Sequence, residues 1–352
     1  MKRLIKTLLA GIIFSLLGAH ADAANAPHTI AELRQDYPEL PAGFDDKSLY
    51  EVVRAATALK FERDFNLHAG WSGDEYAQAY ARQQLRLVRL YFDMDTGFTR
   101  DQLIESSVAK MMGRFLTNHH LPKDFSQAEL IYSEGLKGAV SEGYKGQKEP
   151  LPAKEFEKQA AQAIDEDYKT NWHLSDHWDL EELRTTVGPE RAATLSRLHN
   201  IRAGMTHAEI VEQLGKSEKA RYAKRFHISA DFTADEAVQA AGWEEVDFLR
   251  SGFDAPTEGE FNADWLITHF RAEVLANMQR SYPGLEGNFT ENQLCDHLAK
   301  QADAVMRWNY GFEGHYEEYD VATAAAQSLV AEIRIKYKLP LHFTEEQLNA
   351  AM

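Results

Sequence analysis

The chain has 352 residues, of which 44% are hydrophobic and 26% are charged, and its formal net charge is −17 at pH 7. An acidic excess of this size repels phosphate backbones, so nucleic acid is excluded as an expected partner and a cationic protein surface is favoured. Cys295 is the single cysteine, so an intramolecular disulfide is excluded and packing has to stabilise the fold.

The N-terminus has the composition of a secretory signal peptide. Three basic residues within the first six positions precede an apolar run from Leu8 to Gly18, and alanines at positions 19, 21 and 23 follow. This run of 11 residues is short of the roughly 20 that a membrane-spanning helix needs. We therefore expect residues 1–23 to be a signal peptide, and the mature protein to be periplasmic or secreted, with no stable membrane insertion after cleavage.

Residues 24–43 are predicted to hold an N-terminal capping helix, over Thr29–Tyr37, and a linker. Residues 44–352 are predicted to be an α-helical repeat domain, because an apolar anchor residue returns there every 26 to 29 residues, most often every 27. The twelve anchors are Phe44, Trp71, Phe98, Phe125, Leu151, Trp178, Met205, Phe232, Phe261, Phe289, Tyr316 and Phe343. The residue five positions after each anchor is also apolar.

Several anchors are followed by a motif that starts a helix. After Phe232, Thr233 is followed three positions later by Glu236, the arrangement of a capping box. There the hydroxyl accepts from the N–H at the third helical position, and the acid or amide reaches back to the cap. The same motif occurs as Thr99/Gln102, Ser126/Glu129, Thr290/Gln293 and Thr344/Gln347.

Within each unit, apolar residues about 5, 9, 13 and 17 positions after the anchor predict one helix with a single apolar stripe. Glycines ten positions after four anchors complicate this pattern, and they predict that these middle units are split into two short helices. The four glycines are Gly135, Gly188, Gly215 and Gly242.

The fold class indicated is all-α, a helical repeat solenoid of about twelve units of ~27 residues, in which each stripe packs on neighbouring units. Twelve is also the number of helices in a closed (α/α)6-like toroid, which is the alternative fold. Short and regular connections favour the open solenoid.

His173 and His177 are the metal-ligand candidates of the sequence, because histidines four apart can share one face of a helix. The neighbouring repeat positions place both in a connection between helices, and no His-Glu-x-x-His pattern occurs. His119 and His199 occupy a column that is otherwise aromatic, so we predict that they are packing residues. No catalytic residue is identified, and no cofactor is expected.

The sequence supports two hypotheses about the function. The first is an exported binding scaffold for another protein or peptide, expected to be cationic, with an inhibitor, immunity or assembly role. The alternative is an envelope enzyme that acts on glycan or peptidoglycan in a helical toroid. That enzyme would need a central cleft lined by acids and by Trp178, Trp243, Trp265 and Trp308.

Overall fold

The computed structural model describes residues 27–352, so the predicted signal peptide, residues 1–23, lies outside the described residues. The described chain forms fourteen helices and no strand. They are α1 Ile30–Asp36, α2 Asp46–Phe65, α3 Gly73–Phe92, α4 Arg100–His119, α5 Gln127–Ser141, α6 Ala153–Trp172, α7 Leu180–Val187, α8 Pro189–His199, α9 His207–Arg225, α10 Ala234–Gly252, α11 Ala263–Ser281, α12 Glu291–Tyr310, α13 Glu318–Lys336 and α14 Glu345–Ala351. The prediction of an all-α helical repeat is confirmed.

None of the helices in residues 27–352 has both the length and the apolar character needed to cross a membrane.

The anchors and the residues five positions after them form the interior of the repeat. Eleven anchors are buried, and Met205 is partly buried. All twelve residues of the second column are buried as well. They are Leu49, Tyr76, Leu103, Leu130, Phe156, Leu183, Ile210, Ala237, Leu266, Leu294, Val321 and Leu348. Burial at one fixed spacing in every unit explains why the sequence keeps its register.

The predicted capping boxes are confirmed. Before α10, the Thr233 hydroxyl accepts from the Glu236 N–H at 3.1 Å, and the Glu236 carboxylate accepts from the Thr233 N–H at 2.7 Å. The other four predicted boxes form the same two bonds. Further boxes precede α3, α9 and α13.

The prediction that four glycines split the middle units is wrong for three of them. Only Gly188 separates two helices, α7 and α8, where its φ of 85° and the following Pro189 end one helix and start the next. Gly135, Gly215 and Gly242 lie inside the continuous helices α5, α9 and α10. Their role is packing, as described below.

The described chain divides into two compact units, one formed by residues 27–110 with 270–352, the other by residues 111–269. Ten of the twelve anchor loops are joined in pairs by backbone hydrogen bonds, three pairs in the first unit and two in the second. In the first unit, the Asp46 N–H donates to the Phe343 carbonyl at 3.0 Å, and the Glu345 N–H donates to the Phe44 carbonyl at 2.8 Å. The loops of Trp71 and Tyr316, and those of Phe98 and Phe289, are joined in the same way.

In the second unit, the corresponding bonds run from the Ala263 N–H to the Phe125 carbonyl at 3.1 Å and from the Ala153 N–H to the Phe232 carbonyl at 2.8 Å. Loop pairing brings together helices that are distant in sequence. In the first unit α2 packs on α13 and α3 packs on α12, and in the second unit α5 packs on α10 and α6 packs on α9. These contacts are more extensive than the contacts between successive helices, which are the ones that the repeat pattern predicts.

Glycines allow α5 and α10 to approach each other closely. A Cβ on Gly135 would lie 2.0 Å from the Val238 carbonyl oxygen, and a Cβ on Gly242 would lie 2.0 Å from the Ile131 carbonyl oxygen. Only glycine allows the two helix backbones to approach this closely. The same reason applies to Gly215, whose added Cβ would lie 2.3 Å from the Glu157 carbonyl oxygen.

The paired loops are also braced by a side chain at the start of one of the two helices that follow them. The carboxylate of Glu291, which is only 9% exposed, accepts from the Gly97 N–H across the pair and lies 3.5 Å from the Arg89 guanidinium. In the second unit an amide takes this place, since the Gln127 Oε1 accepts from the Phe261 N–H at 2.8 Å.

We expect Gly135→Ala to lower the free energy of unfolding by about 1–3 kcal/mol, because the new Cβ meets a backbone carbonyl that cannot move without shifting a helix. Helix propensity alone would favour alanine by about 1 kcal/mol, so the sign of the change tests the close approach. Urea unfolding followed by circular dichroism measures it. The matched control is Gly113→Ala in α4, where an added Cβ meets nothing within 4 Å. A loss of stability in the control equal to that of Gly135→Ala would contradict the packing role.

Glu291→Ala should lower the free energy of unfolding by about 1.5–3 kcal/mol, because the Gly97 N–H loses a charged acceptor. Glu291→Gln should lose less, since its amide oxygen can still accept this bond, as Gln127 does in the second unit. Glu286→Ala, an exposed position before the same helix, is the control, with an expected change within about 0.5 kcal/mol. Equal losses in the Ala and Gln variants of Glu291 would show that the hydrogen bond is unimportant.

Candidate protein-binding surface

One side of helix α10 is buried, and the other side carries two exposed aromatic residues. Ala237, Ala241 and Leu249 are buried on the packing side of the helix. Away from it, Trp243 is 45% exposed and Phe248 is 66% exposed. Rings of this size usually contribute to the core, so two exposed rings five positions apart on one helix make this helix a candidate binding surface.

Acidic residues separate these two aromatic residues in the sequence. Glu244, Glu245 and Asp247 stand between or beside them, and we call these five residues, Trp243, Glu244, Glu245, Asp247 and Phe248, the α10 surface. Residues three or four apart are neighbours on a helix, so Trp243 adjoins Asp247, and Phe248 adjoins both Glu244 and Glu245. Each exposed ring therefore has a carboxylate beside it.

The charges of the α10 surface are only partly neutralised within the protein. The Glu244 carboxylate accepts from the Arg225 guanidinium of α9 at 2.7 and 2.8 Å. Glu245 and Asp247 have no basic side chain within 4 Å among residues 27–352. The surface thus keeps two uncompensated carboxylates next to two exposed aromatic faces.

This combination is suited to basic side chains. An aromatic face attracts a Lys or Arg cation, and a neighbouring carboxylate can accept hydrogen bonds from the same cation. Trp and Tyr are also the residues that most often dominate the binding energy of protein interfaces. The α10 surface therefore offers both kinds of contact to a Lys or Arg side chain.

The structure gives the two metal-ligand candidates no further ligands. His173 ends α6 in the left-handed conformation, with φ 53°. His177 is exposed, with its ring 6.0 Å from that of His207. Within residues 27–352, no group of three or more His, Cys, Asp or Glu side chains could hold a metal ion.

A buried carboxylate, that of Asp165, contacts His207, the histidine whose ring adjoins His177. Asp165 accepts hydrogen bonds from the Trp178 Nε1 at 2.7 Å and the His207 Nε2 at 3.0 Å, and its other oxygen lies 2.8 Å from the Lys169 Nζ. Burial alone would raise the pKa of Asp165, but the bonds from Lys169, Trp178 and His207 outweigh burial and lower this pKa. The carboxylate is thus held ionised, and its oxygens are occupied by structural contacts.

The prediction that His199 is a packing residue is confirmed, since it is 5% exposed and both ring nitrogens are hydrogen-bonded. The Ser217 hydroxyl donates to the Leu214 carbonyl at 2.9 Å, so it accepts from the His199 Nδ1 at 2.7 Å. The Nε2 is then the acceptor for the Tyr168 hydroxyl at 2.9 Å. This assignment makes His199 neutral, and burial lowers the pKa of its imidazole.

His119 is mostly enclosed as well. Its ring packs 4.4 Å from that of Phe115, and its Nδ1 lies 3.0 Å from a Glu134 carboxylate oxygen. These contacts agree with its predicted packing role.

The four tryptophans of the proposed enzyme cleft have different environments. Trp178 is fully buried and cannot line a cleft, whereas Trp308 is 87% exposed on α12, in the other compact unit. Trp265 is half-buried, and its ring stacks on His269 with centroids 4.9 Å apart. Of the four, only Trp243 belongs to the α10 surface.

The sequence places Trp243 in a different predicted site, and it gives Phe248 no predicted role. The signal was available, because Trp243 lies 11 and Phe248 lies 16 positions after the Phe232 anchor, outside the apolar stripe. A large aromatic residue that does not follow the stripe of its unit is expected on the surface of the helix.

No protein-family model matches the chain, and no curated protein or solved structure is detectably similar to it. Function therefore has to be inferred from the chemistry of the chain itself.

The stability of the protein should fall as the pH is lowered from 7.5 to 5.5, in part because of His199. An unfolded histidine has a pKa of about 6.5, and the buried one has a lower pKa, so the unfolded chain binds the proton first. The stabilisation from neutral His199 is complete above the pKa of the unfolded histidine. It is lost as the pH falls towards the lower pKa of His199 in the folded protein. His199→Gln should therefore show a smaller decrease in the free energy of unfolding, measured by urea titration at several pH values. A variant with the wild-type pH dependence would contradict the neutral, buried state of His199.

Proposed function

We propose that the protein is an exported α-helical repeat scaffold that binds a basic protein or peptide through the α10 surface, in an inhibitor, immunity or assembly role. The observation that carries this proposal is the pair of exposed rings, Trp243 and Phe248, beside the uncompensated carboxylates of Glu245 and Asp247. Export rests on the signal peptide predicted for residues 1–23.

The division of roles along the repeat supports this function. The anchors, the apolar stripe and the capping residues are all needed to bury and start the helices. Trp243, Glu244, Asp247 and Phe248 are outside this pattern, and the exposed rings do not contribute to the core. Glu245 occupies a position of the stripe and is partly buried. Exposed Trp and Phe beside acids favour association, which fits a scaffold that presents side chains from a stable framework.

The charge of the whole chain supports a basic partner. A formal charge of −17 attracts cationic proteins and raises their association rate, especially at low salt. At physiological salt this attraction is screened beyond about 8 Å, so local contacts have to provide the affinity. Carboxylates and rings in adjacent positions on α10 provide such contacts.

Trp243→Ala and Phe248→Ala should each weaken binding of a basic partner by about tenfold or more, as expected for aromatic residues at the centre of an interface. The partner is sought by affinity capture from a cell-envelope extract, and binding of a synthetic Lys- and Leu-rich peptide is measured by calorimetry. Glu245→Gln with Asp247→Asn should reduce the salt dependence of binding.

Trp308→Ala is the matched control, since it removes an exposed tryptophan from α12 in the other compact unit. It should leave binding unchanged. Equal losses in Trp243→Ala and Trp308→Ala, or binding that is indifferent to salt, would contradict the proposal. Circular dichroism of each variant verifies that the helices remain folded.

A further inference from the structure

A second surface of the protein has the opposite charge. Arg82, Arg86 and Arg89 lie on one face of α3, at positions i, i+4 and i+7, and line a groove of about 610 Å³. The end of α2 and the following loop form the other side of this groove, with Phe65 and His68. We call it the arginine groove. All of its lining residues belong to one compact unit.

The two acidic residues that line the groove already have other partners. The Glu75 carboxylate accepts from the Ser72 N–H at 2.8 Å and contacts the His68 Nε2 at 3.0 Å. Asp64 is paired with Arg63 at 3.0 Å. Neither acid forms an ion pair with a guanidinium of the groove.

The arginines of the groove differ in their partners. Arg89 lies 3.5 Å from the Glu291 carboxylate. Arg82 and Arg86 are exposed, and no carboxylate of residues 27–352 lies within 4 Å of either guanidinium. Two unpaired positive charges thus lie one helical turn apart in a chain whose formal charge is −17.

Folding gives no reason for this arrangement. Like charges four residues apart destabilise a helix, and the favourable effect of the helix dipole on cations is confined to the last turn, where Arg89 lies. With 55 acidic residues in the chain, neutralising partners would be easy to supply. A ligand that forms hydrogen bonds with both guanidiniums provides the missing partner.

We propose that the arginine groove binds a small metabolite with two or more acid groups, either carboxylates or phosphates. Guanidinium groups recognise both in a bidentate manner, and neighbouring arginines on a helix are about 6 Å apart, which suits two linked acid groups. A groove of this volume is within the range of small-molecule sites, and Phe65 and Ala79 provide an apolar part of its lining. The negative charge of the whole protein disfavours a long polyanion such as nucleic acid. This site is independent of the α10 surface.

Calorimetric titration of the full chain at low salt tests the proposal, with citrate as the carboxylate probe, pyrophosphate as the phosphate probe and acetate as the monovalent control. At least one of the two multivalent probes should bind saturably at one site per chain, and acetate should not. Arg82→Gln with Arg86→Gln should weaken this binding by about tenfold or more, because the charge-assisted hydrogen bonds are lost.

The matched control is Arg197→Gln with Arg202→Gln, which removes two exposed arginines from the other compact unit and changes the net charge equally. Binding of citrate alone assigns the site to carboxylates, binding of pyrophosphate alone assigns it to phosphates, and both results support the proposal. Three outcomes would overturn it: no saturable binding of either probe, an equal loss in the control variant, or binding of a triglutamate peptide when neither small anion binds. Because the α10 surface is intact in both variants, the result does not depend on the proposed scaffold function.

Discussion

The backbone hydrogen bonds that join the anchor loops in pairs are the constraint on which the rest of the structure depends. Each helix start leaves N–H groups without a partner in its own helix, and the paired loop supplies a carbonyl acceptor, as for Asp46 with Phe343 and Glu345 with Phe44. Each loop also lies between the end of one helix and the start of the next. Pairing two loops therefore positions four helix ends, and within each compact unit the helices between successive pairs pack side by side with partners distant in sequence.

Because the same few positions cap, anchor and pair the helices, they are not free to serve another function. The two proposed binding surfaces have opposite charge and are distinguished by residues outside the repeat columns, Trp243 and Phe248 in one, Arg82 and Arg86 in the other. The α10 surface combines exposed rings with uncompensated carboxylates, and the arginine groove combines unpaired guanidiniums with an apolar part contributed by Phe65. They belong to different compact units, so each can be altered without changing the lining of the other.

At the middle glycines and at the charged surfaces, the same local sequence pattern leads to different structures. Gly188 and Gly135 occupy the same position in their units, yet one separates two helices and the other allows a close helix contact. The following Pro189 distinguishes the first, but the second depends on Val238, more than a hundred residues away. Likewise, the spacing of Arg82, Arg86 and Arg89 is visible in the sequence. Which of them is neutralised depends on whether Glu291 reaches it.

The sequence by itself determined the helix starts, the length of the repeat and the columns that face inwards, because capping and amphipathic periodicity act within a few residues of the chain. It also predicted the packing role of His199 from its column. Only the tertiary structure decided that Phe44 pairs with Phe343, that α5 approaches α10 closely, and that Trp243 and Phe248 remain exposed. These features depend on contacts between residues distant in sequence. The local pattern of the repeat is the same in every unit, so it does not specify which distant unit each helix packs against.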